Sequence, residues 1–172
     1  MMRPLAAVLM IFLLASSAGC SSGSNKATTT QPPRTTTGSG TGAAQLKRAV
    51  RQALRDNDRI SGYVLWSNRV PASASRSTRG PALANLRASA TDRRRRGIRV
   101  RTLASKLKII SVSLDPSYTN ATAVVRSIQR VRPYRAGAPM GRAVKLDERA
   151  KVELHRVAGA SRFVVWRLTP IR

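Results

Sequence analysis

The chain has 172 residues, with 32 Lys and Arg against 7 Asp and Glu and a formal net charge of +25; a field of that sign favours polyanions of any kind, whether nucleic acid, anionic lipid or acidic wall polymer. A single cysteine, Cys20, excludes an intramolecular disulfide, and with a single histidine, His155, the chain lacks the four ligands of a structural zinc site. Hydrophobic residues make up 42% and aromatics 4%, which predicts one domain with a mostly aliphatic core.

The amino terminus reads MMRPLAAVLMIFLLASSAGC. Arg3 precedes an apolar run from Leu5 to Ala15, 11 residues long. A membrane-spanning helix needs about 20 apolar residues, so the run is too short to span and fits a secretory signal followed by small residues. Ser17-Ala18-Gly19-Cys20 resembles the lipobox of bacterial lipoproteins; it matches at Ala18, Gly19 and Cys20 and departs at Ser17, where those proteins usually carry an aliphatic residue. The resemblance implies a signal peptide over 1–19, cleavage before Cys20, and a diacylglycerol and fatty acid (palmitate-type) on that cysteine. The expected location is the cell envelope, outside the cytoplasmic membrane and anchored to it by lipid.

Residues 20–42 continue as Cys20 and then SSGSNKATTTQPPRTTTGSGTG, Ser, Thr, Gly and Pro without apolar periodicity. This is the composition of a flexible tether. The folded domain is expected over 43–172. Its first segment, AAQLKRAVRQALRDND, places Leu46, Val50, Ala53 and Leu54 on one helical face, with Asn57-Asp58 as a plausible stop. ISGYVLWSNRV fits a helix and a strand equally poorly, and PASASRSTRGP reads as loop. The next helix, PALANLRASATDRRRRG, opens at Pro81 and stops at Gly97. Leu83, Leu86 and Ala90 form its apolar stripe. Arg93, Arg94, Arg95 and Arg96 fill its last turn, where the helix dipole favours cations without any ligand.

From Ile98 the period becomes that of a strand. Ile98, Val100 and Thr102 alternate with Arg99 and Arg101. KLKIISVSL continues with Leu107, Ile109 or Ile110, Val112 and Leu114. DPSYTN is a turn, ATAVVRSIQRVRPYR is rich in β-branched residues, and AVKLDERAKVELHRV places Val152 and Leu154 inward, which turns His155 outward. SRFVVWRLTPI closes the chain with Val164, Trp166 and Leu168 read as facing one way. Four strands joined by short turns predict an antiparallel sheet with one face covered and the other partly wet.

The junction of the second helix with Gly97, the strand pair around SVSLDPSYTNATAVV and the terminal SRFVVWRL together resemble the nuclear transport factor 2-like superfamily, which includes SnoaL-like proteins and ketosteroid isomerases. Small actinobacterial lipoproteins carry such a domain after a lipobox and spacer. The resemblance covers Ala43 to Ile171. It implies an α+β fold of N-terminal helices packed on a curved, cone-shaped antiparallel sheet of about four strands. It also implies that Tyr63 and Trp66, on the helices closing the cone mouth, could line a cavity; packing between helix and sheet is the plainer reading for both, and core packing for Trp166.

Enzymes of that superfamily carry an acid–base pair inside the cone, often Asp or His with Tyr. Here His155 is expected to face solvent, Asp92 to pair with Arg95 or Arg96, Asp115 to bond its own turn, and Asp147-Glu148 to lie at the surface. No catalytic residue, metal ligand set or cofactor is therefore assigned. The expected function is non-catalytic binding or scaffolding at the outer face of the bacterial cytoplasmic membrane. Arg93, Arg94, Arg95, Arg96, Arg99, Arg101, Arg130, Arg132 and Arg135 would serve as contacts to anionic lipids or wall polymers. The alternatives are a SnoaL or isomerase-type enzyme acting on an apolar small molecule and a nucleic-acid binder, which export disfavours. Arginine beside abundant alanine also fits a codon bias, a source of charge that needs no ligand.

Overall fold

The computed structural model describes residues 39–171. The expected signal segment, Cys20 and nearly all of the expected tether lie outside the described residues. Helix α1 (Ser39–Ser67) leads through a 3-10 turn (Ala72–Arg76) to helix α2 (Gly80–Arg95). Strands β1 (Ile98–Leu114), β2 (Asn120–Arg135), β3 (Ala138–Pro139), β4 (Val144–Arg156) and β5 (Phe163–Ile171) follow. They form one antiparallel sheet in the order β1-β2-β4-β5, with the two-residue β3 paired to the end of β2. The architecture is α+β as expected, with two helices on an open sheet whose edge strands β1 and β5 do not meet. Among the described residues, no helix is long and apolar enough to cross a membrane.

One continuous helix replaces the expected stop at Asn57-Asp58. Asn57 is only half-buried, and its side-chain oxygen accepts a hydrogen bond from the Thr78 hydroxyl at 2.8 Å instead of capping a helix end. The apolar stripe continues beyond it, through Ile60 and Val64 to the α2 residues Leu86 and Ala90. The helix ends at Asn68, whose φ of 53° is left-handed. Its amide donates to the Val64 carbonyl at 3.0 Å, the arrangement that closes a helix C-terminus. In α2, Pro81 does stand in the first turn, and Gly97, at φ 65°, does follow the end.

Most of the core lies between α1 and the sheet. Leu46, Val50, Ala53 and Leu54 of α1 meet Ala82, Ala121, Ala123, Val125, Val152, Leu154, Phe163 and Val165. A smaller cluster joins Ile98, Val100 and Val131 with Leu65, Met140 and Leu146. Among the described residues the buried apolar side chains are Val, Leu, Ile and Ala with Phe163 as the lone aromatic, in keeping with the composition.

Two bulges in β1 decide which face each residue takes. Register shifts fall between Thr102 and Ala104 and between Ile109 and Ser111. Each inserts one residue, Leu103 and then Ile110, so the in–out alternation changes parity twice. Ile98 and Val100 therefore share the core side with Leu107 and Ile109, and again with Val112 and Leu114, despite mixed parity in the sequence. The extra residues Leu103 and Ile110 are both exposed. A third shift makes Trp166 the extra residue of β5. This corrects the expected Val164-Trp166-Leu168 stripe: Phe163 and Val165 enter the core, and Trp166 does not.

Candidate anion-binding face

The helices cover one face of the sheet. Residues directly opposite one another on paired strands share a face, so the register identifies the other. Arg126 follows the buried Val125 and so points away from the helices; Lys108 and Arg149 lie opposite it on the two flanking strands. Two residues along the sheet, Ile128 lies between Lys106 and Asp147. Next, Arg130 lies between Ala104 and Lys145, then Arg132 opposite Arg101, and then Tyr134 opposite Arg99. Toward the other end, Val124 lies beside Lys151 and Thr122 beside Glu153, which faces Arg167 on β5. The helix-free face is thus a lattice of cations in which like charges repeatedly oppose one another. Such pairs are unfavourable in an isolated sheet.

Two carboxylates interrupt the lattice. Asp147 takes a bidentate pair of bonds from Arg126, 2.7 Å from Nε and 2.6 Å from Nη2. The hydrogen bonds from Arg126 hold its carboxyl below the usual range. Glu153 lies 4.0 Å from Arg167. Beyond Asp147, on the side away from Glu153, is a shallow depression of about 340 Å³ lined by Ala104, Ser105, Lys106, Ile128, Gln129, Arg130 and Lys145. Three cations converge on it, no carboxylate lines it, and the short side chain of Ala104 leaves the gap. Nearby, Arg132 Nε is shielded from solvent without a hydrogen-bond partner among the described residues.

The predicted site residues separate into four groups. Arg99, Arg101, Arg130 and Arg132 all point from the helix-free face. Arg94, Arg95 and Arg96 are exposed at the end of α2, with Arg96 Nε 3.0 Å from Asp92, one of the two pairings expected for that residue. Arg135 is exposed at the end of β2, in register with the core residue Ile98. Arg93 is the exception: only 9% exposed, it turns inward. Its guanidinium donates to Asn68 Oδ1 at 3.1 Å, Ser89 Oγ at 2.6 Å and the Val64 carbonyl at 3.3 Å, joining α2 to the end of α1. It is a structural strut and not a surface contact. The sequence reading missed Lys106, Lys108, Arg126, Lys145, Arg149, Lys151 and Arg167.

Tyr63 and Trp66 are 53% and 43% exposed, so neither is enclosed in an interior cavity, though Trp66 does pack against the sheet. Trp66 meets Tyr134 edge-on at 5.6 Å, and the Arg99 guanidinium lies 6.0 Å from its ring centre. It borders an open depression of about 520 Å³ with Gly62, Arg101 and Thr102. His155 does face away from the helices, stacked on Trp166 at 4.6 Å with 12° between the rings. Asp115 does serve its turn, accepting from the amides of Thr119 at 2.9 Å and Asn120 at 3.1 Å. Desolvation pushes its carboxyl up, but hydrogen bonds from Asn120, Ser117 and Thr119 together outweigh it and hold the carboxyl at about 2. Asp58, which the sequence reading used only as a helix stop, is half-buried on α1; burial raises its pKa, and a hydrogen bond with Ser105 pulls the other way.

No protein-family profile matches the chain, and no curated protein matches its sequence. Among solved structures it is similar to the intermembrane space region of the chloroplast protein ARC6, with a TM-score of 0.62 at 11% identity over 72% of this chain and 95% of that one. A structure from Catenulispora acidiphila aligns with a TM-score of 0.43 at 14% identity, over 75% of this chain and 92% of that one. The ARC6 likeness shows a shared fold and nothing about a shared ligand.

Proposed function

We propose that this chain is an exported, non-catalytic binding protein of the bacterial envelope, anchored by an acylated Cys20 and docked through its helix-free sheet face onto the phosphate head groups of anionic phospholipids. The observation that carries the docking is the convergence of Lys106, Arg130 and Lys145 on one depression free of carboxylates. Each Lys or Arg held at an anionic leaflet contributes about 1 kcal/mol at most, so the depression alone gives weak, reversible contact. The acyl chains implied by the lipobox resemblance supply stable anchoring, and the basic face then sets the orientation of an already tethered domain. A nuclear transport factor 2-like fold is part of the same reading: two helices sit over one face of a long meander, and the bulges in β1 are devices that curve a sheet. The ARC6 region is described as belonging to an intermembrane space, which accords with an envelope setting.

Vesicle flotation tests the docking. The chain from Ser21 onward has no acyl attachment point, so any binding it shows comes from the domain and tether. It should float with vesicles rich in phosphatidylglycerol, less so as salt is added, and not with neutral phosphatidylcholine vesicles. Equal binding to both would end the docking proposal. For the anchor, Cys20→Ser should abolish fatty-acid labelling and release the protein from membranes; unchanged labelling and retention would end that part.

A further inference from the structure

At the Arg99 end of the helix-free face, aromatic side chains gather beside the cations. There α1 brings Trp66 around the edge of β1 to touch Tyr134 and Arg99, both of which point from the basic face. Tyr63 stands one helical turn earlier and is exposed, and Leu103, the first bulge residue of β1, is 43% exposed and follows Thr102, which borders the same 520 Å³ depression as Trp66. Tyr134 and Arg130 are four residues apart on β2, so this corner lies about 13 Å from the cationic depression, within one continuous surface.

We propose that Trp66, with Tyr63 and Leu103, is an interfacial membrane anchor that inserts at the head-group level of an anionic leaflet when the basic face docks. This rests on the docking proposal above and adds to it an orientation and an apolar contact. The chemistry favours lipid over other polyanions. Trp and Tyr are amphipathic rings that settle at the boundary between hydrocarbon and water. Arg99 and Arg101, adjoining Trp66, can reach lipid phosphates while their stems stay against the aromatic surface. A stacking site for single-stranded nucleic acid would use the same Trp and Arg but has no use for an exposed leucine.

Trp66 itself reports on the proposal. The full lipoprotein, purified from membranes with Trp166→Phe so that Trp66 is the sole tryptophan, is reconstituted into vesicles containing brominated lipid. One set of vesicles is rich in phosphatidylglycerol and the other is phosphatidylcholine alone. In the anionic vesicles Trp66 emission should shift to the blue and lose intensity to the brominated chains; in the neutral ones it should do neither. Arg99→Ala with Arg101→Ala should diminish the anionic response. Because Trp166 packs on the Gly80 backbone, Trp66→Phe in the otherwise unaltered chain provides the complementary measurement. The lipid-dependent change should disappear there, and its persistence would overturn the proposal. Flotation of the protein with both vesicle types but an unshifted, unquenched Trp66 would overturn the insertion while leaving the docking intact. Failure of the chain from Ser21 to float with anionic vesicles would overturn both. A Trp66 response to a single-stranded oligonucleotide with none to lipid would replace the membrane with nucleic acid and also overturn the proposal.

Discussion

Lys145→Glu should strengthen the fold and weaken membrane docking. Lys145 lies directly opposite Arg130, with the two Cβ atoms about 5 Å apart and both side chains reaching toward the same depression. Replacing the lysine turns a repulsive cross-strand pair into an attractive one. Opposed charges on a sheet surface are worth up to about 1 kcal/mol relative to neutral pairs, and exposed ion pairs fall in the same range. The net gain is about 1 kcal/mol, a rise in Tm of roughly 3–5 °C for a domain of this size. Docking responds in the opposite direction. The reversal changes the charge at the depression by two units; at about 1 kcal/mol each, that is a loss of about 2 kcal/mol or about 30-fold in affinity for anionic vesicles. Lys145→Gln should lose about 5-fold on the same scale. Arg48→Glu, exposed on α1, alters net charge by the same amount as Lys145→Glu and should leave affinity nearly unchanged. The assays are thermal unfolding by circular dichroism and vesicle flotation of the chain from Ser21 at fixed ionic strength. Equal losses from Lys145→Glu and Arg48→Glu would show that the whole-chain field, and not this face, holds the membrane. A Lys145→Glu variant that is less stable and binds as before would refute the reasoning outright.

Arg93→Ala should lower unfolding free energy by about 3 kcal/mol or more, because it strands the buried Asn68 and Ser89 groups that the guanidinium serves; Arg94→Ala and Arg95→Ala, both at exposed positions, should stay within about 0.5 kcal/mol in the same urea titration. Gly80→Ala should destabilise by about 2–4 kcal/mol, since Gly80 has a φ of +54° and an added Cβ would lie 2.7 Å from the Trp166 ring. Part of that loss should be absent in a Trp166→Ala background. Asp58 is favoured in its protonated form by the fold. The stability it lends is present below its ordinary pKa of 3.8 and is lost as pH rises through the raised folded value. Asp58→Asn should therefore raise Tm at pH 7, with the difference narrowing in acid. Asp115 behaves oppositely: its contribution is full above pH 3.8 and disappears as pH falls through about 2. Asp115→Ala should flatten acid unfolding across that window.

Much of the fold was readable because local chemistry and tertiary packing agree. Pro81 and Gly97 bound α2, Asp115 closes the first hairpin, and the alternation of Val152, Leu154 and His155 gives the correct face. Where the reading fails, a tertiary contact overrides a local signal. Asn57 resembles a helix stop until Thr78 occupies its side chain. Arg93 is hidden inside a run of four arginines, although its spacing continues the stripe Leu83, Leu86, Ala90, and that spacing was the available clue. The basic face itself was the hardest feature to see. Without bulges, Lys106 and Lys108 would share parity with Ile98 and Val100 and point toward the core; the inserted Leu103 turns them outward. A bulge leaves no fixed residue signature, so strict alternation misplaces everything beyond it until the next one.

Composition alone can account for many arginines, and α1 indeed exposes Arg48, Arg51, Arg55 and Arg59 on its own outer surface. A codon bias of that kind enriches arginine at the expense of lysine and distributes it without regard to the sheet. The lysines follow a different rule. The chain has six, at positions 26, 47, 106, 108, 145 and 151, and the last four all point from the helix-free face. Two of them, Lys108 and Lys145, stand directly opposite Arg126 and Arg130, where like charge is unfavourable and an uncharged polar residue would serve the fold better. A scarce residue gathered on one face, twice directly against arginine, accords with the proposed docking to a negatively charged surface. If composition were the whole cause, replacing those four lysines with Gln would alter vesicle affinity no more than replacing four α1 arginines with Gln. The docking reading requires the sheet set to lose roughly 4 kcal/mol of attraction and the helix set almost none.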